Sequence, residues 1–153
     1  MAGITRIRVG HEDFDVSEQM RLLERPERTA GAVVSFTGVV RSDSSVVKME
    51  LEHYPGMTEK ALHAIAEKAR SRWALEDIVV IHRVGELSVG EQIVLCMVTA
   101  THRREAFEAC MFIMDWLKTE APFWKKETRA DGSSSWVDAR ESDEQAKERW
   151  GEA

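Results

Sequence analysis

The sequence predicts an α+β domain: a mainly antiparallel sheet with helices packed on it, and a small terminal β-hairpin. Three observations predict it. Short β-branched runs alternate with helical patterns in the order β-α-β-β-α-β-β-α-β-β. The run 46–54 alternates cleanly between apolar and charged residues, the mark of an antiparallel strand with one wet face. At 153 residues and 43% hydrophobic composition, the chain suits one domain spanning 1–153. A chain of that size buries roughly 68–70% of its unfolded surface, so its core needs no disulfide or metal.

The elements follow in order. Residues 4–9 (ITRIRV) read as a short strand. Asp15 and Glu18 have capping-box spacing, which starts a short helix ending before Pro26. Residues 31–41, bounded by Gly31, are apolar and β-branched and predict a buried strand. Ser42 to Ser45 form a polar turn. In 46–54, Val47, Met49, Leu51 and His53 face one way and Lys48, Glu50 and Glu52 the other. This strand is expected to lie antiparallel to its predecessor. Pro55-Gly56 breaks the chain, and Thr58 is placed to cap a helix running to Trp73. Residues 77–84 and 91–100 give two more strands, with a turn at Ser88-Val89-Gly90. Thr101 is placed to cap a helix over 102–119, with Phe107, Cys110, Met111, Met114 and Leu117 at helical spacing, and Pro122 ends it. Residues 123–128 and 135–139 predict a hairpin around Asp131-Gly132. Residues 140–150 predict a charged helix, with Ser142 and Gln145 as its cap.

Lys+Arg is 21 and Asp+Glu 27, a net charge of −6, which argues against a general nucleic-acid binder. A local basic pocket for a small anion remains compatible with it. The 2 cysteines, Cys96 and Cys110, are too few for a disulfide scaffold, and both sit in apolar patterns that predict buried thiols. No run approaches the ~20 apolar residues of a membrane span, and the first residues lack a signal-peptide core, so a cytoplasmic protein is expected. No Walker loop, G-x-G-x-x-G or G-x-S-x-G occurs, and the histidines have no metal-ligand spacing. His53 is expected on the apolar side of its strand and His63 on a helix surface. Neither a cofactor nor a metal is expected.

The chemistry-bearing residues are cations. Lys118 ends a helix, a proline turn follows, and Lys125 and Lys126 begin a strand. One reading is plain: Lys118 complements the helix C-terminus and the other two are solvated. The other puts Lys118 and Lys125 on one cleft, where neighbouring apolar groups and a second cation would lower a lysine pKa. Thr101-His102-Arg103-Arg104 opens a helix, where free N–H groups favour an anion. Cations are unfavourable to that helix end itself, so a bound phosphate and a solvated start both remain open. Arg41 ends a strand and decides nothing alone. Trp116, Trp124, Trp136 and Trp150 suit a planar ligand or an ordinary core.

Leu51 to Met57, Val80 to Leu87, Thr101-His102-Arg103, Asp115 to Glu127 and Trp136 to Arg140, in one order over roughly 3–150, are long segments that together resemble the catalytic, large subunit of molybdopterin synthase. The resemblance implies that family's hammerhead fold and the activity of a sulfurtransferase in molybdenum cofactor biosynthesis. The substrate implied is cyclic pyranopterin monophosphate (precursor Z). The sulfur implied arrives as a thiocarboxylate on the C-terminal Gly-Gly of a small ubiquitin-like subunit, within a heterotetramer built on a homodimer. The resemblance further implies that Lys118 and Lys125 are catalytic and that Arg41, His102, Arg103, Lys125, Lys126 and Glu127 bind substrate. By the same resemblance, Arg140 contacts the partner's tail. The chain departs from the pattern in its short 42–45 turn and at Val39, where some relatives have lysine. The alternative is a non-catalytic subunit that binds an anion or a ubiquitin-like protein on the same fold.

Overall fold

The computed structural model describes residues 3–42, 45–137 and 141–151, the side chains of 141–144 excepted. Its elements are β1 (Thr5–Gly10), α1 (Val16–Arg21), β2 (Ala32–Val39), β3 (Val46–His53), α2 (Met57–Arg72) and β4 (Leu75–Arg83). Then come β5 (Gly85–Ser88), β6 (Gln92–Ala100), α3 (Arg103–Glu120), β7 (Phe123–Arg129), β8 (Ser134–Val137) and α4 (Glu141–Glu148). They form two four-stranded sheets, β1-β4-β6-β2 and β5-β3-β7-β8. All pairs are antiparallel except β1 with β4. The α+β class is as the sequence predicts.

The first sheet is covered on both faces. α2 and α3 lay Leu62, Ile65, Phe112 and Ile113 on Ile78, Val80, Val94 and Cys96. On the other face Phe14 and Leu23 cover Val79, Ile81, Leu95 and Met97. That double cover is why β4 and β6 read as unbroken apolar runs. A smaller core of Val40, Met49, Leu51, Val84 and Leu87, with Phe123 against it, joins the sheets.

Here one expectation is corrected. β3 does not pair with β2 but lies between β5 and β7 in the second sheet. Its apolar residues Met49 and Leu51 pack instead with Val40, Val84 and Leu87 in the smaller core. β5 is an element the sequence reading leaves out. It is four residues long, turns out of Gly85 at φ 91° and buries only Leu87.

Capping differs in detail. The Asp15 carboxylate accepts the Glu18 N–H (3.1 Å), as expected. α2 begins one residue before Thr58: Glu59 accepts the Gly56 N–H (2.9 Å), and the Thr58 hydroxyl donates to Tyr54 O (2.9 Å). α3 takes His102, not Thr101, as its N-cap, and His102 makes no side-chain cap bond. The expected Ser142 cap lies outside the described side chains.

A polar anchor sits inside the first sheet. Asp77, fully buried, accepts from Ile4 N–H (2.9 Å), Arg25 (3.1 Å) and the Thr99 hydroxyl (2.9 Å). Burial alone would raise its pKa, but those bonds outweigh it and hold the carboxyl below its ordinary range. Arg25 also pairs with Glu76 (2.8 Å). At the chain's end, Arg149 and the Trp150 indole both donate to Asp115 of α3 (2.6 Å each). Among the described residues no helix is long and apolar enough to cross a membrane.

Candidate active site

α3 organises the candidate residues. It carries His102 and Arg103 at its start and Lys118 in its last turn. Lys118 lies 15 positions beyond Arg103, and at 1.5 Å per residue the two are about 22 Å apart. The helix follows β6 after a two-residue reversal and packs back along it, with the Cys110 Sγ 3.6 Å from Cys96 O near mid-length. Its start therefore lies by the β6 end paired with Ala32, and its end by the β6 start paired with Val39. One chain thus does not gather all the predicted cations into one site. Arg41, exposed just past β2, belongs to the Lys118 end.

At that end a short link, Ala121-Pro122, joins Lys118 to β7. Strand alternation then sorts the residues. Phe123, Lys125 and Glu127 oppose His53, Leu51 and Met49 of β3 on the inner face. Trp124 and Lys126 oppose Glu52 and Glu50 on the outer face. Lys126 is therefore separated from Lys125 and Glu127, and its ammonium lies 5.9 Å from the centre of the Trp136 ring. The four tryptophans, which the sequence left between a planar ligand and an ordinary core, divide. Trp116 and Trp150 pack with Phe112 in the core, while Trp124 and Trp136 stand half exposed on the outer face. His53 sits inward as predicted, 3.3 Å from the Thr58 hydroxyl, and His63 is exposed.

Beneath the Lys118 turn lies His82, which sequence reasoning passed over. Its ring stacks on Phe123 (centroids 3.9 Å, 20° between planes). Burial, with smaller contributions from the Lys118 and His53 charges, lowers its pKa to about 4, so the imidazole is neutral.

At the other end, Gly31, Thr101, His102, Arg103, Arg104 and Phe107 are among the residues lining an open cavity of about 810 Å³. Glu105 faces the His102 ring at 3.9 Å. The predicted stripe on α3 divides: Cys110, Met114 and Leu117 are buried, but Phe107 and Met111 are 60% and 51% exposed. Arg140 lies outside the described residues.

Both cysteines are buried, as predicted. The contact with Cys110, together with full burial, holds the Cys96 thiol well above its ordinary pKa. A thiol in that state is a poor nucleophile, and Cys110, whose pKa the same contact lowers, is buried with its thiol turned to Cys96 O rather than to solvent. The Cys96→Ala/Cys110→Ala double variant is therefore expected to keep its turnover in a sulfur-transfer assay. Loss of turnover with folding and partner binding intact would show that a cysteine relays the sulfur.

Known proteins resemble this chain in sequence and in fold. The family model described as MoaE protein matches residues 9–120. The chain is 56% identical over 148 residues to the molybdopterin synthase catalytic subunit of Ralstonia nicotianae, covering 95% of this chain and 84% of that protein. Its fold is similar to that of molybdopterin cofactor biosynthesis protein E from Burkholderia multivorans. The TM-score there is 0.83 at 47% identity, with 97% of each chain covered. A complex of subunits 1 and 2 of molybdopterin-converting factor from Helicobacter pylori shares the fold at TM-score 0.69 and 21% identity, with 90% of each chain covered. With the family model spanning most of its length and relatives above half identity, the chain belongs to the MoaE protein family, that of the molybdopterin synthase catalytic subunit.

Proposed function

We propose that this chain transfers sulfur in the cytoplasm from the C-terminal thiocarboxylate of a small ubiquitin-like subunit to cyclic pyranopterin monophosphate, building the dithiolene of molybdopterin. The observation that carries the reading is the lysine turn. Lys118 and Lys125 bracket one short link, and Lys125 projects from the inner face of β7. In each transfer the thiocarboxylate sulfur attacks a side-chain carbon of the pterin as a carbon–oxygen bond there breaks, the cyclic phosphate ester opening in one transfer and water leaving in the other; hydrolysis of the resulting acyl–sulfur bond then returns a carboxylate on the tail. Two such transfers supply both sulfurs. Lys118 moves the proton, as general acid and then base, while Lys125 holds the negative acyl oxygen. A Gly-Gly tail suits a narrow approach because it brings no side chains. The Helicobacter pylori complex of two subunits supports a small-subunit partner.

The length of α3 bears on assembly. His102 and Arg103 are too far from Lys118 to serve the same substrate within one chain, so in the proposed homodimer the second copy supplies them. Exposed Phe107, Met111 and Phe36 offer that copy an apolar surface. The cations then hold the substrate's phosphate at a helix start, with arginine adding charge-assisted bonds.

The direct test is conversion of cyclic pyranopterin monophosphate by this chain and a thiocarboxylated small subunit; no product would refute the reading. Within it, Arg103→Ala is expected to weaken substrate binding about tenfold or more, the scale of one charge-assisted contact, while small-subunit binding stays near normal. Unchanged substrate affinity, read by titration calorimetry, would place the phosphate elsewhere.

A further inference from the structure

We propose that His82 is a positioning residue for the lysine turn: its buried imidazole pins Phe123 and so fixes where Lys118 and Lys125 stand. This inference rests on the proposed sulfur-transfer reading.

The argument begins with the end of β4. His82 is 4% exposed, at the last rungs of the first sheet, where the chain leaves for β5 in the second sheet. Its Nδ1 lies 2.8 Å from Arg83 O. A carbonyl only accepts, so Nδ1 carries the proton and the tautomer is set. That bond satisfies a carbonyl at the crossover and stops the ring from turning. The ring's face then meets Phe123 nearly parallel at 3.9 Å. Phe123 is the first residue of β7, five positions after Lys118 and two before Lys125.

Histidine meets two demands at once here. Leucine supplies no plane for the stack and phenylalanine supplies no donor for the carbonyl. The groups facing the ring leave it uncharged. Lys118 from α3 and His53 from β3 both oppose a positive charge on it, as does its burial. Arg83, its neighbour on β4, points elsewhere, donating to His11 O (3.3 Å) and Gln92 O (2.9 Å). His53 lies 6.4 Å from Phe123, so the Phe123 ring has an imidazole near it from each sheet, and the stacked one is His82. A turn whose first strand residue is held in this way cannot drift, and displacements near 1 Å cost up to ~10²-fold in rate.

The test uses His82→Leu, His82→Phe, Phe123→Leu and the His82→Leu/Phe123→Leu double variant, in the full chain with its small subunit. His82→Leu and Phe123→Leu are each expected to lower kcat about tenfold. KM for the cyclic phosphate and small-subunit affinity should stay within about twofold, since neither residue is assigned a substrate or tail contact. The double variant should be no worse than either single one, because both break the same stack. His82→Phe keeps a plane but gives no donor to Arg83 O, so its rate should fall between those of His82→Leu and the parent. Multiplying losses in the double variant, or a wild-type kcat in a folded His82→Leu, would overturn the proposal. If His82→Leu fails to fold, Phe123→Leu decides alone: a wild-type kcat there overturns it. A readout independent of turnover separates this proposal from the reaction it rests on. In the free protein, acetylation of Lys118 should change by about threefold or more in Phe123→Leu, with exposed Lys60 as internal reference. Unchanged Lys118 labelling overturns the positioning role whether or not sulfur transfer occurs.

Discussion

Replacing Lys118 with alanine is expected to lower turnover by ~10²-fold or more, the usual scale for losing a general acid–base group. The loss should be chemical, because the Lys118 side chain is exposed in the last turn of α3 and outside the buried clusters. Exposed substitutions of that kind usually stay within about 0.5 kcal/mol of the parent. Melting temperature and small-subunit affinity should therefore match the wild type while single-turnover conversion of the cyclic phosphate collapses. Lys118→Arg should remain slow too: guanidinium keeps the charge but cannot give up its proton near neutral pH. A folded Lys118→Ala protein that works at close to the normal rate would remove Lys118 from the mechanism.

The largest stability effect is expected far from that turn. Asp77→Ala should destabilise the fold by about 3 kcal/mol or more, because it strips a buried acceptor from Ile4 N–H, Thr99 and Arg25 at once. For a chain of this size that is a fall in melting temperature of roughly 10 °C. The sign of the pH dependence is fixed by the direction of the shift. Folded Asp77 titrates below the ordinary aspartate range, because its hydrogen bonds outweigh its burial. Its contribution is therefore complete above about pH 5 and drains away as acid protonates the folded carboxyl below pH 4. The gap between wild type and Asp77→Ala in urea unfolding should be widest near neutrality and narrow toward pH 3. A constant gap across that range would mean that the charge of Asp77 contributes nothing.

Much of this molecule was legible from residue patterns. The runs 77–84 and 91–100 are apolar throughout because both faces of their sheet are covered, and periodicity reports burial directly. Lys118, Pro122 and Lys125 stand close along the chain, so their turn could be read as well. What escaped was non-local. Which sheet β3 joins depends on what lies beside it, and no local pattern carries that. β5 has four residues and one buried side chain, too little for a periodic signal. His82 looks like any polar interruption of a strand until Phe123, 41 positions later, is seen on its face. His102 and Lys118 share a helix, and their spacing does state a distance. The resemblance to a known family nonetheless invited reading them as one cluster.

That distance has a consequence for how the chain can vary. α3 is a rigid rod that bears the proposed substrate-binding and catalytic residues at its two ends, and a helix turns 100° for each residue. One inserted or deleted residue between Arg103 and Lys118 would move the ends by only about 1.5 Å but swing them a quarter-turn out of phase. Side chains aimed at ligand would then aim at solvent or into the sheet. The turn at 130–132 between β7 and β8 carries no such phase, and length changes there cost little more than loop entropy. Tolerance to insertion in this protein is thus set by angle: high in the turns, and lowest along the one helix whose two ends must both point correctly.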